Sequence, residues 1–214
     1  ALLARVASRT LDVQYYIWRN DTTGTLLFGE LLAAAERGVR VRLLLDDIGT
    51  SGLDTELAAL ARHKLIEVRL FNPFTLRKPK VLGYLADLRR ANRRMHNKSF
   101  TADNRAAIIG GRNVGDEYFG ATDGVLFTDL DVLAVGPIAQ NVSDDFDRYW
   151  ASASAYQAQD ILPKATQQDL DQLASTAKAL LTSPRATEYT QSIKDSTFVT
   201  QLMDHTLPLE WVHV

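Results

Sequence analysis

The chain contains no cysteine among its 214 residues. This absence excludes disulfides, thiol catalysis and cysteine-ligated metal centres. No apolar run approaches the roughly 20 residues that a membrane-spanning helix needs, so the sequence predicts no transmembrane segment. The formal net charge is only −2, which means that any attraction to anionic lipid or nucleic acid has to come from a local cluster of charge.

Histidine is also scarce, with four in the whole chain, and one of the four lies in an unusual context. The segment RRMHNKSFTADNRAAIIGGRN, residues 93–113, places His96 two residues before Lys98. Asp103 follows, and Asn113 comes just after the pair Gly110-Gly111. One histidine and one lysine on a strand are more often surface residues than catalysts. The occurrence of all these residue types in one short window favours a functional site.

Alternating strand and helix patterns dominate the rest of the sequence. Strands are predicted over 11–18, 39–47, 66–71 and 129–137, and helices over 25–38, 54–63, 137–150 and 167–182. Hydrophobic residues make up 46% of the chain, which is an ordinary globular composition. These patterns predict an α/β fold with a mixed, largely parallel β-sheet flanked by helices.

The segment around His96 has the pattern of a β-hairpin. Residues 95–101 are predicted as one strand, Asp103-Asn104 as the turn, and 106–110 as the returning strand. A two-residue turn would pair His96 with Gly111 and Lys98 with Ile109, on one face of the hairpin. Asn113 has the same parity as Gly111, and the two glycines would leave room for a ligand to approach the backbone.

This set of side chains suits phosphate chemistry. Lys98 would supply a positive charge, and Asn113 would donate hydrogen bonds to a phosphate oxygen. His96 would be placed to attack phosphorus and form a covalent phosphohistidine. For Asp103, fixing the turn or pairing with an arginine is favoured over direct catalysis.

A basic segment precedes the motif. Seven cationic residues within 77–94 face a single acid, Asp87: Arg77, Lys78, Lys80, Arg89, Arg90, Arg93 and Arg94. One interpretation is a solvated helix face. The other is a basic rim for a phosphate-bearing substrate, and the motif that follows at once favours the rim.

The spacing H-x-K-x4-D-x6-G-G-x-N resembles the signature of the phospholipase D superfamily. The flanking sequences RGVRVRLLLDD, DLDVLAVGP and FDRYW also resemble that family. Within it, residues 10–150 are most similar to the bacterial cardiolipin synthases, in particular those of the C type. The resemblance implies a phospholipase D-like fold, an anionic phospholipid substrate, and no metal or other cofactor.

The resemblance also implies residue roles. His96 would be the nucleophile or the general acid, while Lys98, Asn113 and Gly111 would bind the phosphate. Asp129, or its neighbour Asp131, would orient and stabilise a catalytic imidazole; for Asp129, a strand-end carboxylate bonded to the backbone is an equally weighted alternative. Asp46-Asp47 suggests a metal site only weakly, because adjacent carboxylates on a strand point to opposite faces.

The chain departs from the family by carrying one motif, whereas the family builds one active site from two. The other histidines, His63, His205 and His213, have no lysine two residues later. Either a second half follows Val214 or two identical chains pair. The absence of an initial methionine and the abrupt end LEWVHV favour a fragment, with a catalytic half-domain at 1–150 and a helical connector at 151–214.

The sequence is therefore compatible with three functions. The first is a phosphatidyltransferase that makes cardiolipin from phosphatidylglycerol and a second phospholipid, located peripherally on the cytoplasmic side of the bacterial inner membrane, with the fragment inactive alone. The second is a single-motif homodimeric phosphodiesterase or endonuclease, which the near-neutral charge disfavours because nucleic-acid binding requires many Lys and Arg residues. The third is a non-catalytic phosphate- or lipid-binding fragment.

Overall fold

The computed structural model describes residues 1–74, 93–121, 124, 126–184, 186–187, 197, 200–201, 204 and 206. Its helices are α1 Leu2–Val6, α2 Thr22–Glu36, α3 Asp54–Leu60, α4 Asp116–Phe119, α5 Pro137–Trp150 and α6 Gln167–Leu181. Its strands are β1 Thr10–Ile17, β2 Arg40–Gly49, β3 Ile66–Phe71, β4 Ser99–Ala102, β5 Ala106–Gly110, β6 Asp131–Val135 and β7 Ala155–Gln157. No described helix is long and apolar enough to cross a membrane.

The strands form one seven-stranded mixed sheet in the order β6-β5-β4-β1-β2-β3-β7. The predicted α/β class and mixed sheet are confirmed, but the description as largely parallel is wrong. Only β1–β2 and β2–β3 are parallel, and the other four pairs are antiparallel. The reason is that β4, β5 and β6 follow one another through connections without a helical crossover long enough to restore the parallel direction.

The hairpin between β4 and β5 has a different register from the predicted one. Asp103 and Asn104 both adopt left-handed φ values of 54°, as a tight hairpin turn requires. Arg105 is an additional residue in the loop, so Ala102 pairs with Ala106 and Ser99 with Ile109. The predicted pairing of His96 with Gly111 and Lys98 with Ile109 is therefore wrong by one residue. His96 and Lys98 both precede β4.

The main core lies on one face of the sheet. Alternate residues of the central strands, such as Val13, Leu43 and Val68, point to this face and are fully buried or nearly so. Helices α2, α3 and α6 cover it, and their buried residues include Phe28 and Leu57. Burial of the apolar helix faces against the sheet supplies the main stabilisation of the domain.

A smaller cluster on the opposite face docks α5 onto the strands. Phe146 and Trp150 of α5 pack with Leu44 of β2 and with Met95, the residue before His96. Packing against α5 therefore helps to hold the chain that enters the motif.

The domain continues past the predicted boundary at residue 150. Strand β7 pairs with β3 and extends the sheet, and Leu170 and Leu173 of α6 belong to the main core. Helix α6 follows the prediction for 167–182, but it packs against α2 and α3 rather than acting as a bare connector. The apolar residues of α6 recur at helical spacing and form one buried face. The many polar residues between them make this face hard to recognise from the sequence.

Candidate active site

Four of the predicted site residues meet at one edge of the sheet. Strand β4 is antiparallel to both β1 and β5, and β6 is antiparallel to β5. The ends of β1 and β5 therefore lie beside the starts of β4 and β6. His96 and Lys98 precede β4, Asn113 follows β5, and Asp129 precedes β6.

The lysine of the motif contacts the histidine directly. Lys98 Nζ lies 3.1 Å from His96 Nδ1 and donates to the His96 carbonyl oxygen at 2.6 Å. An ammonium group can only donate, so Lys98 is the donor and His96 Nδ1 the acceptor in this contact. His96 is exposed, whereas Lys98 is only 7% exposed. The imidazole therefore faces the open side of the site, and the ammonium lies beneath it.

Tyr16 of β1 supports this pair. Its ring lies 4.7 Å from the His96 ring, centroid to centroid, at an interplanar angle of 46°. Lys98 Nζ lies 5.7 Å from the Tyr16 ring centroid, within the range of a cation–π contact. The aromatic face fixes the imidazole orientation and shields the ammonium from water.

Asn113 is buried and held by two hydrogen bonds. Its side-chain oxygen accepts from the Ile17 N–H at 3.0 Å, and its Nδ2 donates to the Tyr118 hydroxyl at 3.2 Å. The amide nitrogen carries two hydrogens, and these contacts account for one of them. The carboxamide is thus oriented by the end of β1, and its second N–H suits a ligand oxygen at the same edge.

Asp129 lies against Gly111 and acts on Lys98. A side chain at Gly111 would collide with the Asp129 carboxylate, so the space beside this glycine is filled by the segment before β6. Gly110 has a similar close approach to Leu130 and Asp131. The small size of the two glycines lets the 129–131 segment approach. Phosphate binding at Gly111 stays a prediction.

Opposing effects set the pKa of Lys98. Burial lowers the pKa of the ammonium below its ordinary value, and the negative charge of Asp129 raises it in part. The negative charge of Asp129 thus acts on Lys98, whereas the family resemblance assigned Asp129 to an imidazole. Its charge keeps a buried lysine more fully protonated.

Asp103 lies at the opposite end of β4 from His96. Its carboxylate accepts hydrogen bonds from the backbone N–H groups of Ser8, Arg9 and Thr10, and from the Ser8 hydroxyl. The structure thus joins Asp103 to the start of β1 and does not bring it to the other motif residues. These contacts tie the hairpin turn to the start of β1, and the structural role of Asp103 stays a prediction.

The paired acids at the end of β2 bind the chain on either side of residues 75–92. Asp46 accepts from the Met95 N–H at 2.7 Å and from Arg94 at 2.9 Å, and Asp47 accepts from the Phe74 N–H at 2.8 Å. Asp46 therefore anchors the residues immediately before His96. Burial raises the pKa of Asp46, and the hydrogen bonds from Met95 and Arg94 oppose that effect.

The predicted basic rim lies mostly outside the described residues. Of its members, Arg94 turns inward to the buried carboxylate of Asp46 and does not form part of an exposed rim. The metal hypothesis for Asp46-Asp47 is also corrected, because both carboxylates accept hydrogen bonds from protein groups. No group of three or more His, Asp or Glu side chains that could hold a metal ion occurs within the described part of the chain.

Sequence reasoning missed Tyr16 and Tyr118. Tyr16 lies one residue before the end of β1, and Tyr118 follows Asn113 by five positions. The signal for Tyr16 was its place near the end of a predicted strand, at the edge where parallel strands carry ligand sites. The contact of Tyr118 depends on the short helix α4, which turns the chain back toward Asn113, and no sequence pattern predicts that turn.

Comparison with known sequences gives concordant matches. A family model described as "Cardiolipin synthase, PLD-like domain" matches residues 3–150. Cardiolipin synthase C of Escherichia coli (strain K12) is 52% identical over 212 residues, which are 98% of this chain and 44% of that protein. An uncharacterized protein of Helicobacter pylori (strain ATCC 700392 / 26695) is 46% identical over 151 residues, 69% of this chain and 30% of that protein. The chain spans less than half the length of these two relatives.

Solved structures share the fold at low identity. NucT from Helicobacter pylori matches with a TM-score of 0.52 and 13% identity, over 73% of this chain and 86% of that chain. Phosphatidylserine synthase of Haemophilus influenzae Rd KW20 matches with a TM-score of 0.56 and 14% identity, over 85% of this chain and 40% of that chain. At such identities the likeness concerns the arrangement of strands and helices alone.

Proposed function

The chain belongs to the family described as cardiolipin synthase, PLD-like domain, and on that basis we propose that it is one half of a phospholipase D-type phosphatidyltransferase. The reaction is cardiolipin synthesis from phosphatidylglycerol and a second phospholipid. The observation that carries the proposal is the joint placement of an exposed His96, a buried Lys98 and an oriented Asn113 at one edge of the sheet.

Each of these side chains has a task in phosphoryl transfer. Lys98 neutralises a phosphate oxygen, and Asn113 donates a hydrogen bond to another. One imidazole attacks phosphorus while the ester P–O bond breaks, and a second imidazole donates its proton to the departing oxygen. An acceptor hydroxyl then attacks phosphorus, its proton passes to the second imidazole, and the P–N bond breaks. His96 is one of these two imidazoles, either the nucleophile or the proton donor.

The other imidazole requires a second motif. We assign it to a second half that carries its own H-x-K-x4-D motif, either within a longer chain or in an identical chain. Support comes from the exposed apolar residues at the β6 edge of the sheet, here called the apolar edge: Ile108, Leu126, Phe127, Leu130, Val132, Leu133 and Val135. An open edge strand with apolar side chains is typical of a surface that a partner covers. The apolar edge begins beside Asp129, so a partner there would adjoin the site.

A location at the bacterial inner membrane, peripheral and on its cytoplasmic side, fits a phospholipid substrate and is part of the proposal. The nucleic-acid alternative has less support. Among the described residues near the site, Arg94 pairs with Asp46 and Arg112 with Asp131, so their charges are largely compensated. Binding to a nucleic-acid backbone requires a series of uncompensated cations.

The test is an activity assay on a completed protein, defined as this chain joined to the part of the Escherichia coli relative that it does not match. The assay uses vesicles of phosphatidylglycerol and phosphatidylethanolamine, and mass spectrometry detects cardiolipin. We expect the completed protein to form cardiolipin, its His96→Ala variant to form none, and the 214-residue chain alone to be inactive.

Two outcomes would overturn parts of the proposal. Cardiolipin formation by His96→Ala at the rate of the unsubstituted protein would remove His96 from the reaction. Turnover by the isolated chain, shown to be monomeric by analytical ultracentrifugation, would remove the need for a second half. Circular dichroism of each variant distinguishes loss of chemistry from loss of folding.

A further inference from the structure

A cleft of about 400 Å³ opens beside Lys98, between α5 and the sheet. Its floor is a row across three neighbouring strands, because Gln14 pairs with Ser99 and Ser99 with Ile109. One wall is the middle of α5, and Asn97 and Lys98 close one end. This volume lies within the range of sites that take small ligands or parts of larger ones.

The polar lining is mostly neutral. Three carboxamides line the cleft, those of Gln14, Asn97 and Asn141, together with the hydroxyl of Ser99 and the carboxylate of Asp145. Amides and hydroxyls both donate and accept hydrogen bonds, as alcohol groups do. Ile109 and Val142 provide an aliphatic surface between them. A ligand with several hydroxyls on a short carbon chain matches both parts of this lining.

Two other ligand chemistries fit less well. Among the described residues that line the cleft, an anionic group would find one cation, Lys98, and would also face the carboxylate of Asp145. An ammonium group would find the charge of Asp145 already offset by Arg148, which lies 3.3 Å from one carboxylate oxygen. Asn97 contacts the other oxygen at 3.4 Å, and the remaining lone pairs of the carboxylate can still accept from a hydroxyl. The lining therefore discriminates for a neutral polyol over a charged ligand.

We infer that this cleft selects the acceptor of the transfer by binding its vicinal hydroxyls, as in glycerol or a glycerol headgroup. The inference rests on the proposed function, because the phosphate is placed at Lys98. A polyol in the cleft then has Lys98 at one end, so an attacking hydroxyl would approach the phosphate from this side. Asn141 and Asp145 lie on the same face of α5, four residues apart, and act as specificity residues.

The experiment compares acceptors that differ only in hydroxyl number. The completed protein receives phosphatidyl-p-nitrophenol as donor, with glycerol and 1-propanol as competing acceptors, and the ratio of the two phosphatidyl products is measured. A third arm supplies phosphatidylglycerol in vesicles as the acceptor. This arm shows whether the cleft binds the glycerol of a lipid headgroup or free glycerol. Transfer to 1-propanol is the internal reference for each variant.

The variants Asn141→Ala and Asp145→Ala should each lower the glycerol-to-propanol ratio about tenfold, as expected for loss of a hydrogen bond to a polar ligand. Gln140→Ala and Asp144→Ala are the matched controls, since these neighbours are exposed on α5, bond to each other and do not line the cleft. Their ratio should equal that of the unsubstituted protein.

The results distinguish failure of the polyol cleft from failure of the proposed function. Unchanged ratios in both Asn141→Ala and Asp145→Ala would overturn the polyol cleft. An equal fall in the phosphatidylglycerol arm supports a lipid headgroup as the ligand, and a fall with free glycerol alone supports a free polyol. If the unsubstituted protein transfers to none of the acceptors, the proposed function fails.

Discussion

At the residue scale, the link between Asp129 and Lys98 gives a pH-dependent prediction. Burial lowers the pKa of Lys98, and Asp129 opposes that effect, so Asp129→Asn should lower the pKa further. Lys98 would then lose its proton at a lower pH, and phosphate binding would weaken with it. We expect the alkaline limb of the pH–rate profile of the completed protein to move to lower pH.

The control for this experiment is Asp131→Asn. Asp131 pairs with Arg112 and does not contribute to the pKa shift of Lys98, so its removal should leave the alkaline limb in place. Equal movement of the limb in both variants would contradict a specific action of Asp129. The profile, rather than the rate at one pH, is the necessary readout, because either variant can lower the rate for structural reasons.

Asp103 gives a second residue-scale prediction, about stability. Burial raises the pKa of its carboxyl, but hydrogen bonds from the Thr10, Ser8 and Arg9 N–H groups outweigh it, so the folded pKa is lowered. A lowered pKa contributes stability that is present above the ordinary value of 3.8 and is lost as the pH falls through the folded value. Asp103→Ala should lower the free energy of unfolding by about 1–2 kcal/mol at pH 7, as for loss of a capping carboxylate.

Urea unfolding of the 214-residue chain at pH 7 and pH 3 tests this prediction. The difference between Asp103→Ala and the unsubstituted chain should shrink at the lower pH, where the carboxylate is being protonated. Asp103→Asn, which tolerates the left-handed turn, separates the charge from the backbone conformation. A stability difference that is the same at both pH values would show that the carboxylate charge does not contribute.

These residues also show which parts of the site the sequence could predict. Residue type and spacing identified His96, Lys98 and Asn113, because the phosphate chemistry depends on them. The supporting contacts of Tyr16 come from a strand about 80 residues earlier, so they depend on the strand order of the sheet. Spacing within one segment carries no information about a neighbour that distant.

At the element scale, the attachment of α5 depends on a buried ion pair. Arg42 of β2 bonds to Asp12 of β1 at 2.6 and 2.8 Å, and its guanidinium lies 4.8 Å from the Phe146 ring centroid. Arg42 also contacts Asp147, so it joins two strands to the helix. Arg42→Met should destabilise the chain by about 3–5 kcal/mol, because Asp12 would remain buried without its partner.

The double variant Asp12→Asn with Arg42→Met tests the cause. Removing both charges should recover part of the lost free energy of unfolding, which urea titration measures. Arg19→Ala is the control, since its ion pair with Glu117 is half exposed and should contribute no more than about 1 kcal/mol. If the double variant is no more stable than Arg42→Met, the cost comes from lost packing on Phe146 rather than from the uncompensated carboxylate.

Whether an element was predictable depended on its length and apolar pattern. The long segments β2, α5 and α6 lie close to their predicted positions, because burial imposes a period on their sequences. The register of the hairpin was not predictable, since Asp103-Asn104 marks a turn without showing that Arg105 adds a residue to the loop. β7, with only three residues, offered no measurable alternation.

At the scale of the whole molecule, the apolar edge predicts where a second half docks. Leu133 is 60% exposed on the edge strand β6, and burial of such a side chain at an interface core contributes strongly to affinity. Leu133→Glu should weaken binding of the separately expressed remainder of the Escherichia coli relative at least tenfold, measured by isothermal titration calorimetry. Leu2→Glu is the matched control, because Leu2 is equally apolar, 75% exposed and located on α1.

If the second half docks at the apolar edge, a substitution that weakens its binding should also lower cardiolipin formation. Leu133 pairs with Ile108 of β5, two residues beyond the start of β6, so Leu133→Glu should act on turnover through assembly. We therefore expect it to lower cardiolipin formation when the two halves are supplied separately, and raising the concentration of the second half should restore the rate. Equal binding by Leu133→Glu and Leu2→Glu would place the partner on another surface, and a rate that stays low at saturation would mean that β6 shapes the active site itself.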